Sequence, residues 1–180
     1  MTAATDTGSS STDNNTSNNR PVLQVGALPS GVTGIELLVD GQMVAATYDS
    51  QTGQIRPNSA LTNGVHAVTY RYLDLAGNTS NASDPISLTV DTTAPLNAAI
   101  TMAAAGGITG TFEPGTALSL TIAGQAVTGT IVTNSNGTWQ YVPTSSELTA
   151  LRLVGTKELL LTATDTAGNT ASDSKTVTAD

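Results

Sequence analysis

Short runs in which every second residue is apolar recur along the chain, and this period of two predicts strands rather than helices. Val22, Leu23 and Val25 open the series. Ile35, Leu37 and Val39 alternate with polar residues, and Asp40-Gly41 then accepts the positive φ of a tight hairpin turn, so that residues 43–48 return antiparallel. Ile55 starts a short strand that Pro57 must end or push to an edge. After the Asn63-Gly64 turn, Val68, Tyr70 and Tyr72 face one way. The loop Asp74-Leu75-Ala76-Gly77-Asn78 then reverses the chain into Ile86, Leu88 and Val90.

The second half replays this plan. Residues 100–103 and 108–112 predict a hairpin around Gly106-Gly107, and Glu113-Pro114-Gly115 turns into Leu118, Leu120 and Ile122. Ala123-Gly124 takes the place of Asp40-Gly41, residues 127–132 return, and Trp139 and Tyr141 point inward together, as core. Thr144 and Glu147 stand at capping-box spacing before Leu148 and Leu151, which predicts one short helix over residues 145–151. Leu159, Leu161 and Ala163 lead into Asp165-Thr166-Ala167-Gly168-Asn169 and a last strand. The pentapeptide at Asp74 and the strand before it thus recur 91 residues later, at Asp165.

Such a repeat of short strands predicts an all-β chain of two tandem immunoglobulin-like β-sandwiches. The expected divisions are a disordered polar tail over residues 1–19, a first sandwich over 20–91 and a second over 92–180. The tail is almost wholly Thr, Ser, Asn, Asp, Ala and Gly, with no apolar segment to bury. It also lacks the basic start and apolar core of a signal peptide. The first sandwich lacks the initial hairpin strand of the second unless this tail supplies it.

Composition narrows the function. A net charge of -8 with 11% charged residues argues against nucleic acid, whose phosphates need clustered Lys and Arg, and against an anionic membrane surface. No apolar run approaches the ~20 residues of a spanning helix, so membrane insertion is not expected. Cysteine is absent, which excludes disulfides and thiolate metal sites. Aromatic residues are 3% of the chain, so the cores must rest on Val, Leu, Ile and Ala. No nucleophile has a companion base, and no glycine-rich phosphate loop follows a strand, so no enzyme is expected. His66, the single histidine, lies next to a turn and reads as a solvated loop residue; Asp84, Glu158 and Asp173 read as ordinary surface charge.

The stretches TVDTTAP (residues 89–95), GTFEPG (110–115), NGTWQYVP (136–143) and TATDTAGNT (162–170) together resemble the bacterial immunoglobulin-like (Big) repeats of giant surface adhesins exported by type I secretion. In the first half the resemblance rests on LLVDGQ, on LDLAGNTS and on the linker itself. It implies a rod of sandwiches, rigidified by calcium at the junctions, that presents a distal adhesive tip. The first half departs from the pattern by lacking an EPG turn.

Tracing the strands up and down brings Asp91, Glu113 and Asp165 to one end of the second sandwich, with Asp40 and Asn63 at the facing end of the first. Carboxylates gathered in this way repel unless they splay into water or share a cation. Calcium suits an all-oxygen set, whereas zinc and copper would want His or Cys. Each Asp or Asn alone is also a standard turn former, so turn closure and calcium binding both remain open for these positions. Asp40 is the fourth candidate ligand, and Asp74 with Asp49 forms a candidate second site at the other end of the first sandwich.

The leading expectation is a structural stalk or spacer module of an extracellular bacterial adhesin, on the cell surface or secreted, whose partners are adjacent immunoglobulin-like repeats of a longer chain. Asp180 repeats the strand-end aspartate Asp91, which suggests that another domain follows. The alternative is a terminal module that binds glycan or a host protein through the divergent loops at residues 29–34 and 49–53.

Overall fold

The computed structural model describes residues 2–3, 5–104, 107–152 and 155–179. Gly106 of the predicted hairpin turn and the strand-end Asp180 lie outside the described residues. The chain divides into two compact units: unit 1 is Met1–Thr93 with Thr166–Gly168, and unit 2 is Ala94–Asp165 with Asn169–Asp180.

Unit 1 holds strands β1 (Thr2–Ala3), β2 (Asn15–Thr16), β3 (Leu23–Gln24), β4 (Val32–Val39), β5 (Gln42–Val44), β6 (Ala46–Asp49), β7 (Gln54–Pro57), β8 (Gly64–Asp74) and β9 (Ile86–Val90). They form one sheet in the order β1-β3-β7-β6 and another in the order β2-β9-β8-β4-β5. Alternation puts Leu37, Val39, Val68, Leu88 and Val90 of the second sheet against Leu23 and Ile55 of the first, all buried. Asp40 (φ 53°) and Gly41 (φ 76°) both take the left-handed conformation, as a two-residue hairpin turn matched to the strand twist requires. Beyond the turn the returning chain is split at Ala45. Its first part, β5, pairs with β4, and its second, β6, pairs with β7, so one run of residues serves both sheets. Pro57 ends β7, as its missing N–H dictates.

The disordered tail expected over residues 1–19 is not what forms. β1 pairs antiparallel with β3, and β2 pairs in parallel with β9, in the register Asn15↔Thr89 and Thr16↔Val90. Hydrogen bonding, not apolar burial, holds this segment. The Thr89 N–H donates to the Asn14 carbonyl (2.8 Å) and the Asp91 N–H to the Thr16 carbonyl (3.0 Å). The buried Thr16 hydroxyl donates to the Thr5 carbonyl at 2.9 Å and accepts the Asn18 N–H at 3.0 Å. The polar stretch therefore supplies the strand that the first repeat otherwise lacked.

Unit 2 holds β10 (Ala99–Ala104), β11 (Gly107–Thr111), β12 (Ala117–Ile122), β13 (Gln125–Ala126), β14 (Val132–Thr133), β15 (Thr138–Tyr141), helix α1 (Ser145–Arg152), β16 (Gly155–Thr164) and β17 (Thr170–Ala179). Its sheets run β10-β11-β15-β14 and β13-β12-β16-β17. Trp139, Tyr141, Ile100 and Ile108 of one sheet pack on Leu120, Ile122, Leu159 and Leu161 of the other, with Leu151 of α1 and Phe112 closing the core. Gly110 lies under the indole, where an added Cβ would stand 1.8 Å from the Ala99 carbonyl oxygen.

The return over residues 127–132 is interrupted. β13 stays with β12, β14 joins β15, and the chain between crosses from one sheet to the other. The predicted capping box forms, with the Glu147 carboxylate accepting the Thr144 N–H at 2.8 Å and the Thr144 hydroxyl accepting the Glu147 N–H at 3.4 Å. Glu147 also accepts the Tyr141 hydroxyl (2.5 Å) and the Thr128 N–H (2.9 Å). Burial opposes its ionisation, but these donors outweigh burial and bring its pKa down to about 2. Asp173, expected as surface charge, instead accepts the Ile100 N–H at 2.7 Å and so ties β17 to β10.

Candidate functional site

In unit 1, β4 and β9 end, and β8 begins, at one pole, because Val39 pairs with Val68 and Gly64 with Val90. Asp40, Asn63, His66 and Asp91 therefore share that pole. His66 is not the solvated loop residue expected: it is 8% exposed, and both ring nitrogens are bonded. Its Nδ1 lies 2.7 Å from the Asp40 carboxylate and its Nε2 lies 2.8 Å from the Thr62 carbonyl. Two acceptors require two N–H donors, which only the imidazolium has. The Thr62 carbonyl and then Asp40 accordingly raise the His66 pKa above 6.5. The His66 bond and the Ala67 N–H (2.8 Å) together lower that of Asp40. With Nε2 turned to a backbone carbonyl, this His–Asp pair has no nucleophile to activate and works as a brace between the β4–β5 turn and the segment before β8.

The raised His66 pKa sets a sign for pH dependence. The brace stabilises unit 1 in full below the unfolded histidine value of about 6.5 and is lost as pH rises through the higher folded value. Unit 1 of the wild type should therefore melt at lower temperature near pH 8.5 than near pH 5.5, whereas His66→Gln should lack that decline. Calorimetric melts across this range check it.

Asn63 and Asp91 hold the chain leaving unit 1. The Asn63 carboxamide oxygen accepts the Thr92 hydroxyl at 2.8 Å and the Thr92 N–H at 3.2 Å, while its Nδ2 donates to the Thr93 hydroxyl at 2.9 Å. The Asp91 carboxylate accepts the Thr93 N–H at 2.9 Å. At the other pole of unit 1, Asp49 accepts the Gln51 N–H (2.8 Å) and the Thr52 N–H (3.4 Å), and these bonds, Gln51 first, lower its pKa.

Asp74 also lies there, bonded through one oxygen to the Asn78 N–H and through the other to the Asn78 Nδ2, each at 2.8 Å. Those bonds, the side-chain one first, lower its pKa. Asp165 repeats this arrangement with the Asn169 N–H (2.9 Å) and Nδ2 (2.8 Å). In both repeats the D-x-A-G-N motif is a loop closed by its own first and last side chains.

In unit 2, β11 and β16 end, and β12 begins, at one pole, since Ala117 pairs with Thr164 and Ala99 with Thr111. Glu113 and Asp165 lie at this same pole, as the strand tracing requires. The Glu113 carboxylate accepts the Leu96 N–H at 2.7 Å, fixing the start of unit 2 there. Within either unit, among the described residues, no group of three or more His, Asp or Glu is placed to hold a metal ion. Sequence reasoning missed the Asp40–His66 brace and the Asn63 grip on the linker. The register of β4 on β8 was the signal for the first, because it sets the residue after Val39 beside the start of β8.

Comparison with solved structures gives the same architecture. The chain is similar to the fibronectin(III)-like modules of Clostridium thermocellum CbhA, at 11% identity and a TM-score of 0.54, over 91% of this chain and 87% of that one. It is also similar to a tetra-tandem repeat in the extending region of a large adhesion protein, at 22% identity and a TM-score of 0.40, over 99% of this chain and 48% of that one. A further similarity is to SGBP-B of the Bacteroides ovatus mixed-linkage glucan utilization locus, solved with a mixed-linkage heptasaccharide, at 16% identity and a TM-score of 0.34, over 91% and 41%. The chain thus spans less than half of each of the last two structures. Among curated proteins, none matches the chain. No helix of the described residues is long and apolar enough to cross a membrane. The family model for the bacterial Ig-like domain matches residues 1–92 and again 96–180, one copy to each sandwich, and the chain belongs to that family.

Proposed function

We propose that this chain is a spacer from the stalk of an extracellular bacterial adhesin, and that calcium stiffens the linker between its two sandwiches. The observation that carries the reading is the pair of family matches, which leaves residues 93–95 between two complete sandwiches. A linker this short suits a rod rather than two independently tumbling domains. The motif resemblance to adhesin repeats supports the same reading.

The proposed ligands are Asp91, Glu113 and Asp165. Their donor chemistry fits calcium, since all are hard carboxylate oxygens. Bound calcium would supply the positive charge that lets these side chains converge instead of repelling. Asp40, at the same pole as Asp91 and bonded to His66 and Ala67, is the fourth candidate ligand. Asp74 and Asp49 lie at the far pole of unit 1 and form the separate second candidate site.

Extracellular modules bind calcium with dissociation constants of roughly 0.1–1 mM, so occupancy would follow arrival outside the cell. Calcium titration followed by thermal unfolding and X-ray scattering tests this. The expected result is a higher melting temperature and a longer maximum dimension with calcium, both blunted in Asp91→Ala. Identical curves with and without calcium would reduce these carboxylates to turn formers.

A terminal ligand-binding module is the second reading. It would use the loops at residues 29–34 and 49–53, beside Tyr48, Tyr70 and Tyr72. These three rings are partly buried, Tyr70 and Tyr72 meet edge to face at 5.3 Å, and the Tyr48 hydroxyl donates to the Gly26 carbonyl. Rings engaged with one another in this way favour the spacer.

A further inference from the structure

We infer that Asn63 is a positioning residue that fixes the path of the linker as it leaves unit 1, independently of any ion. Its carboxamide reaches the chain across the β8–β9 pair, and its three hydrogen bonds to Thr92 and Thr93 use both its acceptor and its donor. Asp91 adds a fourth bond, to the Thr93 N–H. The segment that presents Asn63 is itself held, because the neighbouring Thr62 carbonyl accepts from His66, which is braced on Asp40.

On the unit 2 side Glu113 holds the Leu96 N–H. Between these anchors lie Ala94 and Pro95. Pro95 has a fixed φ, and Ala94, which precedes it, is confined to extended backbone. Pro95 thus restricts two linker positions whether or not calcium is bound. Ala at position 63 would lose all three bonds, whereas Asp could keep them, because the Thr93 hydroxyl can turn to donate to a carboxylate oxygen.

The test uses the full chain in EGTA, with amide hydrogen exchange and 15N relaxation read at Thr92, Thr93 and Leu88. In Asn63→Ala the Thr92 amide should exchange roughly fivefold faster, the factor set by one net hydrogen bond, and Thr93 should gain fast motion. Leu88, inside the β8–β9 ladder, should be unchanged, which separates loss of the anchor from general loosening. Thr93→Val should free position 93 while Thr92 stays protected. If Asn63→Ala fails to fold, Thr93→Val decides. Unchanged motion at position 93 in Thr93→Val, or unchanged Thr92 exchange in folded Asn63→Ala, would overturn the inference. Repeating the wild-type measurement with calcium keeps the two readings apart: an anchor that acts in EGTA stands even if calcium changes nothing.

Discussion

Deleting residues 1–19 is expected to destabilise unit 1 by about 3 kcal/mol or more, although this stretch looks like a tail. The deletion removes the bonds from β2 to the β9 edge, those at Thr89 and Asp91 among them, together with the Thr5 hydroxyl that accepts the Val22 N–H and the Asn19 carbonyl that accepts the Leu61 N–H. It also removes β1 from the edge of the other sheet. β9 then becomes an unpaired edge, so the truncated chain should associate at high concentration as well as melt early. Trp139, the single tryptophan, lies in unit 2 and reports on that unit alone, while Tyr48, Tyr70 and Tyr72 lie in unit 1. Tyrosine fluorescence and calorimetry should show the loss while tryptophan emission at low temperature stays unchanged. A truncated chain with the wild-type melting profile would mean that the polar stretch adds nothing to unit 1.

The second large effect is expected in unit 2. Trp139 is 1% exposed, and its indole N–H is shared between the Ala99 and Thr111 carbonyls, each at 3.2 Å. Trp139→Ala should therefore cost about 3–5 kcal/mol, lowering the unit 2 transition by at least about 12 °C. Gly110→Ala attacks the same layer from below. Its Cβ would stand 1.8 Å from the Ala99 carbonyl oxygen and 2.6 Å from the Trp139 indole nitrogen, and the first contact is with backbone, which cannot swing aside. Both variants should leave the unit 1 transition in place, and a calorimetric trace resolving the two units checks this. A unit 2 transition within a few degrees of wild type in either variant would contradict the role assigned to the indole layer.

These expectations separate what a sequence pattern can carry from what it cannot. Alternation at Ile35, Leu37 and Val39, or at Leu159, Leu161 and Ala163, reports which side chains are removed from water, and the structure buries Leu37, Val39, Leu159, Leu161 and Ala163 where the pattern puts them. The capping box at Thr144 and Glu147 and the left-handed turn at Asp40-Gly41 were equally legible, because each is a local arrangement of neighbouring residues. Residues 1–19 escaped because their strands are held by hydroxyl and backbone bonds, and hydropathy does not register hydrogen-bonding capacity. The crossings between sheets at Ala45 and over residues 127–131 escaped for another reason: a strand that changes partners keeps its alternation throughout.

At the candidate site, the shared pole of Glu113 and Asp165 followed from counting strand reversals. What each carboxylate touches did not follow. Asp40 on His66, Asp165 on Asn169 and Glu113 on Leu96 depend on side-chain reach across a loop rather than on strand direction.

The parallel pairing of β2 with β9 has a mechanical consequence. Tension applied to unit 1 ahead of β2 and beyond β9 drags these neighbours in opposite directions along their shared axis. Their bonds are then strained in shear and must fail together, whereas a hairpin pulled open from one end gives way bond by bond. Force passing through unit 1 along its backbone thus meets a short clamp before it reaches the sandwich interior.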